Sequence, residues 1–275
     1  MTLPADFPHG VEAFVCDLDR TLIAEDGVLH PRTRKAITRA REAGIHVLIA
    51  TGRMFQSVRP YAAEAGIEDP LVCYQGAAVV EPGSGRFLLH EPIPLELAKE
   101  AIAAVVEEGV ALNCYVDDEI YVARVTEYTR RYVGFQRLQV HEVGDLGAWI
   151  EKPPTKLVAI DEPERLDGVE ARLKTRFNGR LYIAKSLPEF LEFASPEVTK
   201  ASGTAFLAEH LGFARERTVA FGDGENDLEL LDWAAYSVAV ANGHDRVRAL
   251  ADFVCPSASD EGVAEVLEAF LDSRS

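Results

Sequence analysis

The chain has 275 residues, 45 of them acidic and 28 basic, for a net charge of -17 at neutral pH. That length can bury a large core and fits either one big domain or a core with a second, smaller unit, and the two-unit reading is preferred. The charge disfavours non-specific attraction to nucleic acid or to an anionic membrane, so neither is expected as a partner, and an anionic substrate would need local cations to offset the field.

No apolar run is long enough to span a bilayer, and residues 1–10 are polar without the pattern of a secretory leader, which predicts a soluble, cytoplasmic protein. The four cysteines, Cys16, Cys73, Cys114 and Cys255, lie in apolar stretches without C-x-x-C spacing. Buried reduced thiols are therefore expected rather than disulfides or zinc ligands.

In chain order, the first predicted element is a buried strand over 11–16, bounded by Pro8-His9-Gly10, and it ends in Asp17-Leu18-Asp19-Arg20-Thr21. Open parallel sheets place their ligands at this carboxyl end. Two carboxylates held close repel, and tolerating them usually takes a cation, a shared proton or strong donors. For an isolated D-x-D, a solvated loop is the commoner explanation, so the doublet needs corroboration.

A helix over 31–44, with Pro31 near its start and Gly44 at its end, leads to a strand over 46–50, then Thr51-Gly52-Arg53 and a helix over 54–65 stopped by Gly66. A third strand is expected over 71–75. Strand, helix, strand, helix, strand with short connections is the rhythm of a parallel sheet covered by helices on both faces, and the first 76 residues fit one Rossmann-like half.

From Ala77 the rhythm changes. A hairpin over 77–89 turns at Glu81-Pro82-Gly83-Ser84-Gly85, followed by a helix over 95–108, strands over 111–116 and 120–125 and a short helix over 127–133. A strand over 156–160, a helix over 164–177 and strands over 181–184 and 190–193 complete what reads as an α+β module inserted into the sheet domain. Asp117-Asp118 is expected to be a hairpin turn rather than a metal site. Arg124, Arg130, Arg131, Lys152, Lys156 and Lys185 are expected on solvated faces, with substrate contact as the alternative.

The parallel rhythm resumes with a helix over 200–212 that opens on Lys200, a strand over 218–221 and the loop Gly222-Asp223-Gly224-Glu225-Asn226-Asp227. A helix over 228–235, a strand over 237–240, a helix near 244–250, an apolar run over 253–255 and a last helix over 261–271 close the chain.

Four signals thus fall at strand ends or beside them, in the order Asp17/Asp19, Thr51-Gly52-Arg53, Lys200 and Asp223/Asn226/Asp227. In this the chain resembles the haloacid dehalogenase superfamily, whose ordered motifs are D-x-D-x-[TV], a Thr or Ser after the second strand, a Lys, and an acidic G-D-x-x-N-D-type loop. The long insertion resembles the large cap of the Cof-type sugar-phosphatase branch. The resemblance spans nearly the whole chain and implies an α/β fold: a Rossmann-like parallel-sheet core over 1–83 and 190–275, with an inserted α+β cap over 84–189.

The resemblance also implies the chemistry. Asp17 would be the nucleophile that forms an aspartyl-phosphate. Asp19 would carry protons to the leaving oxygen and from water while its backbone carbonyl helps to bind metal, and Thr21 would hold the loop. Asp223 would complete an oxygen-rich Mg²⁺ site with the Asp17 carboxylate and the Asp19 carbonyl. Thr51, the backbone amide of Gly52, Lys200 and Asn226 would bind the phosphoryl group, with Asp227 in support. Arg53 fits a phosphate cation and a surface residue equally.

Arg20 stands where many members of the family carry glycine, and its side chain is expected to point away from the metal, the alternative being that it narrows substrate entry. The implied activity is Mg²⁺-dependent hydrolysis of a small phosphorylated metabolite, a sugar phosphate above all. Two alternatives stand beside it: phosphomutase or transferase chemistry through the same intermediate, and a non-catalytic phospho-acceptor or metal-binding module.

Overall fold

The strand before the acidic doublet, β1 (Ala13–Cys16), is 0% exposed at all four residues. A strand buried on both faces belongs inside a parallel sheet. The computed structural model describes residues 1–136 and 138–274, and it places β1 between two parallel neighbours. The chain divides into two units, 1–89 with 199–275, and 90–198.

After β1 come α1 (Pro31–Glu42), β2 (His46–Ile49), α2 (Phe55–Ala65), β3 (Leu71–Cys73), β4 (Ala78–Val80) and β5 (Phe87–His90). The second unit contributes α3 (Leu95–Glu107), β6 (Ala111–Val116), β7 (Glu119–Val122), α4 (Glu127–Gln136), β8 (Val140–Glu142), α5 (Leu146–Trp149), β9 (Lys156–Ile160), α6 (Pro163–Phe177), β10 (Tyr182–Leu187) and β11 (Phe190–Ala194). The first unit then resumes with α7 (Lys200–Leu211), β12 (Thr218–Gly222), α8 (Leu228–Trp233), β13 (Tyr236–Val240), α9 (Asp245–Leu250), β14 (Phe253–Cys255) and α10 (Gly262–Ser273).

In the first unit the strands run β14-β13-β12-β1-β2, all parallel. A bridge between Ala50 and Val72 carries the order on to β3, which pairs antiparallel with β4. Alternation along the strands sorts the side chains between two helical layers. Val15, Leu48, Ala220 and Ala239 pack with Leu207 of α7, Leu230 and Leu231 of α8 and Val247 of α9. On the other face Phe14 meets Phe270 of α10 edge to face at 5.4 Å. Helix α1 joins α10 there through the Arg32–Glu268 and Arg39–Asp272 pairs. The α/β core with helices on both faces is thus as expected, and every strand of the sheet ends at one edge.

In the second unit a six-stranded sheet runs β10-β11-β9-β6-β7-β8. One face packs under α3, α5 and α6, with Leu112, Cys114, Leu157, Ala159, Leu191 and Phe193 against Ile102, Leu146, Val169 and Phe177. The strand Phe190–Ala194, read above as part of the inserted module although the bounds given for it stop at 189, belongs here, because it is laddered on both sides to β9 and β10. At the other end β5 stays with the first unit's β3-β4-β5 sheet. The division therefore falls after residues 89 and 198 rather than at 84 and 189.

Asp117 and Asp118, with φ of 53° and 60°, form the two-residue turn between β6 and β7, as a hairpin of this length favours. Lys156 departs from its expected solvated place. It is 3% exposed, its Nζ lies 3.2 Å from Glu192 Oε1, and it sits over the Tyr115 ring at 5.2 Å. Lys152 pairs with Asp117 at the surface, Lys185 with Asp167, and Arg124 and Arg130 are exposed. The Arg131 side chain lies outside the described residues. All four cysteines are buried and outside any disulfide, and no helix among the described residues is long and apolar enough to cross a membrane.

Candidate active site

The carboxyl edge of the parallel sheet is where the sequence motifs converge. Asp17 follows β1 directly, and its N–H donates to the Phe221 carbonyl of the neighbouring strand at 3.0 Å, which pins it to the sheet. Its carboxylate is buried, and Lys200 Nζ donates to Asp17 Oδ1 at 2.6 Å. The same ammonium donates to Asp227 Oδ1 at 2.6 Å.

Lys200 is carried there by the start of α7, where Thr199 caps the helix by accepting from the Ser202 N–H and Ser202 answers the Thr199 N–H. A cation in the first turn opposes the helix dipole, and the two buried carboxylates supply what holds it. Asp227, 0% exposed, also accepts through Oδ2 from the N–H groups of Asp223 at 3.0 Å and Gly224 at 2.9 Å. Both its oxygens are thus committed, and it fixes the loop after β12 in the form that turns Asp223 toward Asp17.

A second group surrounds Asp19. Arg53, 8% exposed, grips the Asp19 carboxylate with two nitrogens, Nε at 2.7 Å and NH2. Its remaining nitrogen donates to Ser57 Oγ at 3.2 Å, and the guanidinium lies over the Tyr61 ring. Arg53 is thus buried and paired with Asp19 rather than solvated at the surface. Thr51 accepts from the Arg53 N–H through Oγ1 at 3.2 Å, and its own N–H is spent on Val72 O. Thr21, in the D-x-D loop, donates to Asp223 Oδ1 in the loop after β12 at 3.4 Å. Asn226 stands apart from the acidic group and donates through Nδ2 to Gln75 Oε1 at 3.1 Å.

Arg20 departs from its expectation. Its Nε lies 3.5 Å from Asp223 Oδ2, so the side chain turns toward one of the expected metal-binding carboxylates rather than away. The cause is local. Arg20 has φ of 58°, and Asn242 brackets it by donating through Nδ2 to Arg20 O at 2.8 Å while Asn242 O accepts from the guanidinium at 3.2 Å.

The charges decide what this arrangement accommodates. Asp17, Asp19, Asp223 and Asp227 face Lys200, Arg53 and Arg20, which leaves one negative charge in excess. Burial pushes the Asp17 carboxyl well above the usual carboxylate range, with Lys200 opposing the rise and Asp227, Asp223 and Asp19 adding to it. Burial and then Asp227 bring Asp223 up to about 6 against the pull of Arg20 and Lys200. For Lys200 burial works against the charge, but Asp17 and Asp227 outweigh it, so the ammonium is held.

Carboxyls raised in this way are short of positive charge, and a bound cation relieves that. Asp17, Asp223 and Asp227 each bring a carboxylate oxygen within 4.8 Å of the others. Because Asp227 is saturated, the oxygens left for an ion are those of Asp17 and Asp223. An all-oxygen donor set suits a hard cation rather than zinc.

Fold and site together define a parallel-sheet α/β enzyme core with a buried lysine-bridged aspartate cluster and an α+β insertion. The chain belongs to the haloacid dehalogenase-like hydrolases, whose family model matches residues 14–267, and to their Cof-type branch. It is 28% identical to the 5-amino-6-(5-phospho-D-ribitylamino)uracil phosphatase YitU of Bacillus subtilis over 263 residues, 93% of this chain and 96% of that protein. It is 25% identical to the pyridoxal phosphate phosphatase YbhA of Escherichia coli over 265 residues, 93% and 97% of the two chains. Among solved structures, TM0651 from Thermotoga maritima matches with a TM-score of 0.84 at 32% identity, covering 94% of this chain and 97% of that one. The protein is a hydrolase by family.

Two residues of this edge were not singled out from the sequence: Gln75, bonded to Asn226, and Asn242, which brackets Arg20. A usable signal existed for Gln75, since Tyr74-Gln75-Gly76 ends the third strand at the edge already flagged for Asp17. Asn242 lies two residues past β13 and carried no comparable signal.

Proposed function

We propose that the protein is a Mg²⁺-dependent phosphomonoesterase that hydrolyses a small phosphorylated metabolite, a sugar phosphate above all, through an aspartyl-phosphate on Asp17. The observation that carries this reading is the state of the Asp17 carboxylate. Lys200 holds Oδ1, while Oδ2 meets no donor among the described residues. A carboxylate fixed at one oxygen and uncommitted at the other is oriented for attack, and the entropy of orienting it is spent in folding rather than at the barrier.

In the first step Asp17 forms a bond to phosphorus and the ester oxygen leaves with a proton from Asp19. In the second, Asp19 takes a proton from water, the water oxygen attacks phosphorus, and the bond between phosphorus and the Asp17 oxygen breaks to return the Asp17 carboxylate and inorganic phosphate. General acid and base assistance of this kind is worth about 10²–10⁴-fold in rate. Asp19 begins in the grip of Arg53, so carrying a proton requires it to trade part of that pairing for the leaving oxygen.

The Thr51 hydroxyl accepts from Arg53 N–H and keeps its own proton for a phosphoryl oxygen. The Gly52 amide, Lys200 and Asn226 complete the phosphoryl site, and Asp227 positions Lys200 and the Asp223 loop. Mg²⁺, held by the Asp17 and Asp223 carboxylates and the Asp19 carbonyl, would screen nucleophile from phosphate and stabilise the charge that develops on the transferring group. The phosphatase relatives support hydrolysis of small phosphorylated compounds, and their differing substrates leave the choice of metabolite to experiment.

A phosphate-release screen over sugar phosphates, nucleotides, pyridoxal phosphate and phosphoglycolate, with and without Mg²⁺, tests the reading. Mg²⁺-dependent multiple-turnover release from at least one class is expected, with sugar phosphates foremost. No release from any of them in Mg²⁺ would refute it.

A further inference from the structure

Beyond the residues assigned above, one buried polar side chain at the same edge has a hydrogen-bonding end that the protein leaves unused. We infer that Gln75 is a further phosphoryl-contacting residue: its side-chain amide nitrogen donates to a phosphoryl oxygen beside Gly52 while its carbonyl oxygen sets the orientation of Asn226. This rests on the reading of the edge as a phosphate site.

The backbone places Gln75 there at a cost that the fold sustains. Tyr74, Gln75 and Gly76 have φ of 54°, 60° and 105° in succession, and left-handed conformations at non-glycine residues persist only where the surroundings over-determine them. The surroundings do so from both sides. The Tyr74 N–H donates to Arg53 O at 2.9 Å and the Gln75 N–H to Thr51 O at 3.0 Å, which binds the segment to the phosphoryl-side turn. On the other side Gly76 lies so close to the Thr199 carbonyl, one residue before Lys200, that any side chain there would overlap it. Gln75 is therefore held between two of the loops that carry the chemistry.

The side chain reaches a third. Gln75 is 9% exposed, and its Oε1 accepts from Asn226 Nδ2 at 3.1 Å. Its Nε2 fills the space that a side chain at position 52 would need, 2.5 Å from where a Cβ on Gly52 would stand. That nitrogen, with two protons to donate, finds no acceptor among the described residues. Unlike Arg34 Nε and Asn113 Nδ2, which are buried without a partner, this nitrogen stays open to solvent, so a ligand or water can supply its acceptor. Beside the Gly52 amide, the ligand acceptor is the phosphoryl oxygen. The pair also accounts for glycine at 52, since the Gln75 amide occupies what would be its side-chain volume.

The test is binding of orthovanadate, a phosphate-shaped oxyanion, to the full chain in Mg²⁺ by calorimetry, read beside steady-state phosphate release. Gln75→Glu keeps the acceptor for Asn226 and loses the donor, and Gln75→Met loses both without adding charge. Both variants should bind vanadate about 10- to 100-fold more weakly, as expected for a lost hydrogen bond to a charged group, and should raise KM for the ester. Their unfolding midpoints should match the parent, because all three residue types meet the same backbone constraint. Should either fail to fold, Gln75→Gly, which suits the positive φ and lacks the side chain, serves in its place with the same expected loss.

Unchanged vanadate affinity in Gln75→Met would overturn the inference. Normal affinity in Gln75→Glu with loss in Gln75→Met would reduce Gln75 to orienting Asn226 and would overturn the contact. The two readings separate in the parent protein. Vanadate binding without phosphate release from any ester removes the phosphatase assignment and leaves the Gln75 comparison intact, whereas no vanadate binding at all overturns both.

Discussion

At the scale of single residues, Arg20 is a resident cation beside Asp223, 3.5 Å from its Oδ2 with 47% of its side chain exposed. It therefore competes with a metal ion for that carboxylate. A pair this exposed is worth about 0.2–1 kcal/mol, so Arg20→Gly should tighten Mg²⁺ binding by up to about 5-fold in calorimetry. Glycine also suits the φ of 58°, so no loss of stability should accompany the change. Weaker Mg²⁺ binding in the variant would mean that Arg20 organises the metal site instead.

Asp223 gives a pH dependence with a definite sign. Its folded carboxyl sits at about 6 against an ordinary 3.8, so the folded protein holds this proton more firmly than the unfolded chain. The contribution to stability is complete below the ordinary value and is lost as pH rises through about 6, a displacement worth on the order of 3 kcal/mol. In EDTA the unfolding midpoint should fall across this window. Mg²⁺ should restore it, and restore it more at pH 7.5 than at pH 5.5, because the ion takes the place of protons. Stabilisation by Mg²⁺ that grows toward acid pH would contradict this assignment.

The residues that read most clearly in the sequence, Asp17, Asp19, Asp223 and Lys200, did so because acids after buried strands and a lone early-helix lysine are poorly explained by packing. Gln75 was legible only through its place at the end of the third strand, because an apolar run from Leu71 gives no sign that the strand stops at Cys73 and the backbone turns left-handed.

At the scale of elements, the site is a meeting of loops that their helices and strands cannot make separately. The end of β1, the turn after β2, the turn after β3, the start of α7 and the loop after β12 are joined by Asp17–Lys200–Asp227, by Gln75 N–H to Thr51 O and by Gly76 against Thr199. Gly76→Ala adds a side chain where φ is 105° and where the Thr199 carbonyl stands. The backbone conformation alone costs about 1–3 kcal/mol, so urea unfolding should show at least that loss. Because α7 must shift to make room, activity should fall further than stability explains. A variant with parental stability would mean that α7 is not held at this point.

Element types and order were legible from periodicity and from glycine and proline stops, whereas partner choice was not. The run over 190–193 reads as a strand in either unit, and only the ladders to β9 and β10 decide it. Lys156 was misplaced for the same reason. Glu192 pairs with Val158, which puts it diagonally across from Lys156 on one sheet face, and no spacing along the chain announces such a neighbour.

At the scale of the whole molecule, two units with separate apolar cores share one chain. Each buries an ion pair, Lys156–Glu192 in one and Lys200 with Asp17 and Asp227 in the other. Removing one partner from a buried pair typically costs about 3–5 kcal/mol. Lys156→Ala should therefore speed amide hydrogen exchange within 90–198 and leave 1–89 and 199–275 near the parent rates. A uniform loss of protection along the chain would show that the two units unfold as one.

The account stands or falls on what Asp17 does. During turnover of a reactive phosphomonoester in Mg²⁺, rapid quenching followed by borohydride reduction fixes any acyl phosphate as an altered side chain that peptide mass mapping can place. The parent protein should carry the reduction mark at Asp17 alone, and Asp17→Asn should carry none, release no phosphate above background and keep the parent fold by circular dichroism. Phosphate release by Asp17→Asn at the parent rate, or a mark at another residue, would contradict the assignment of Asp17 as the nucleophile.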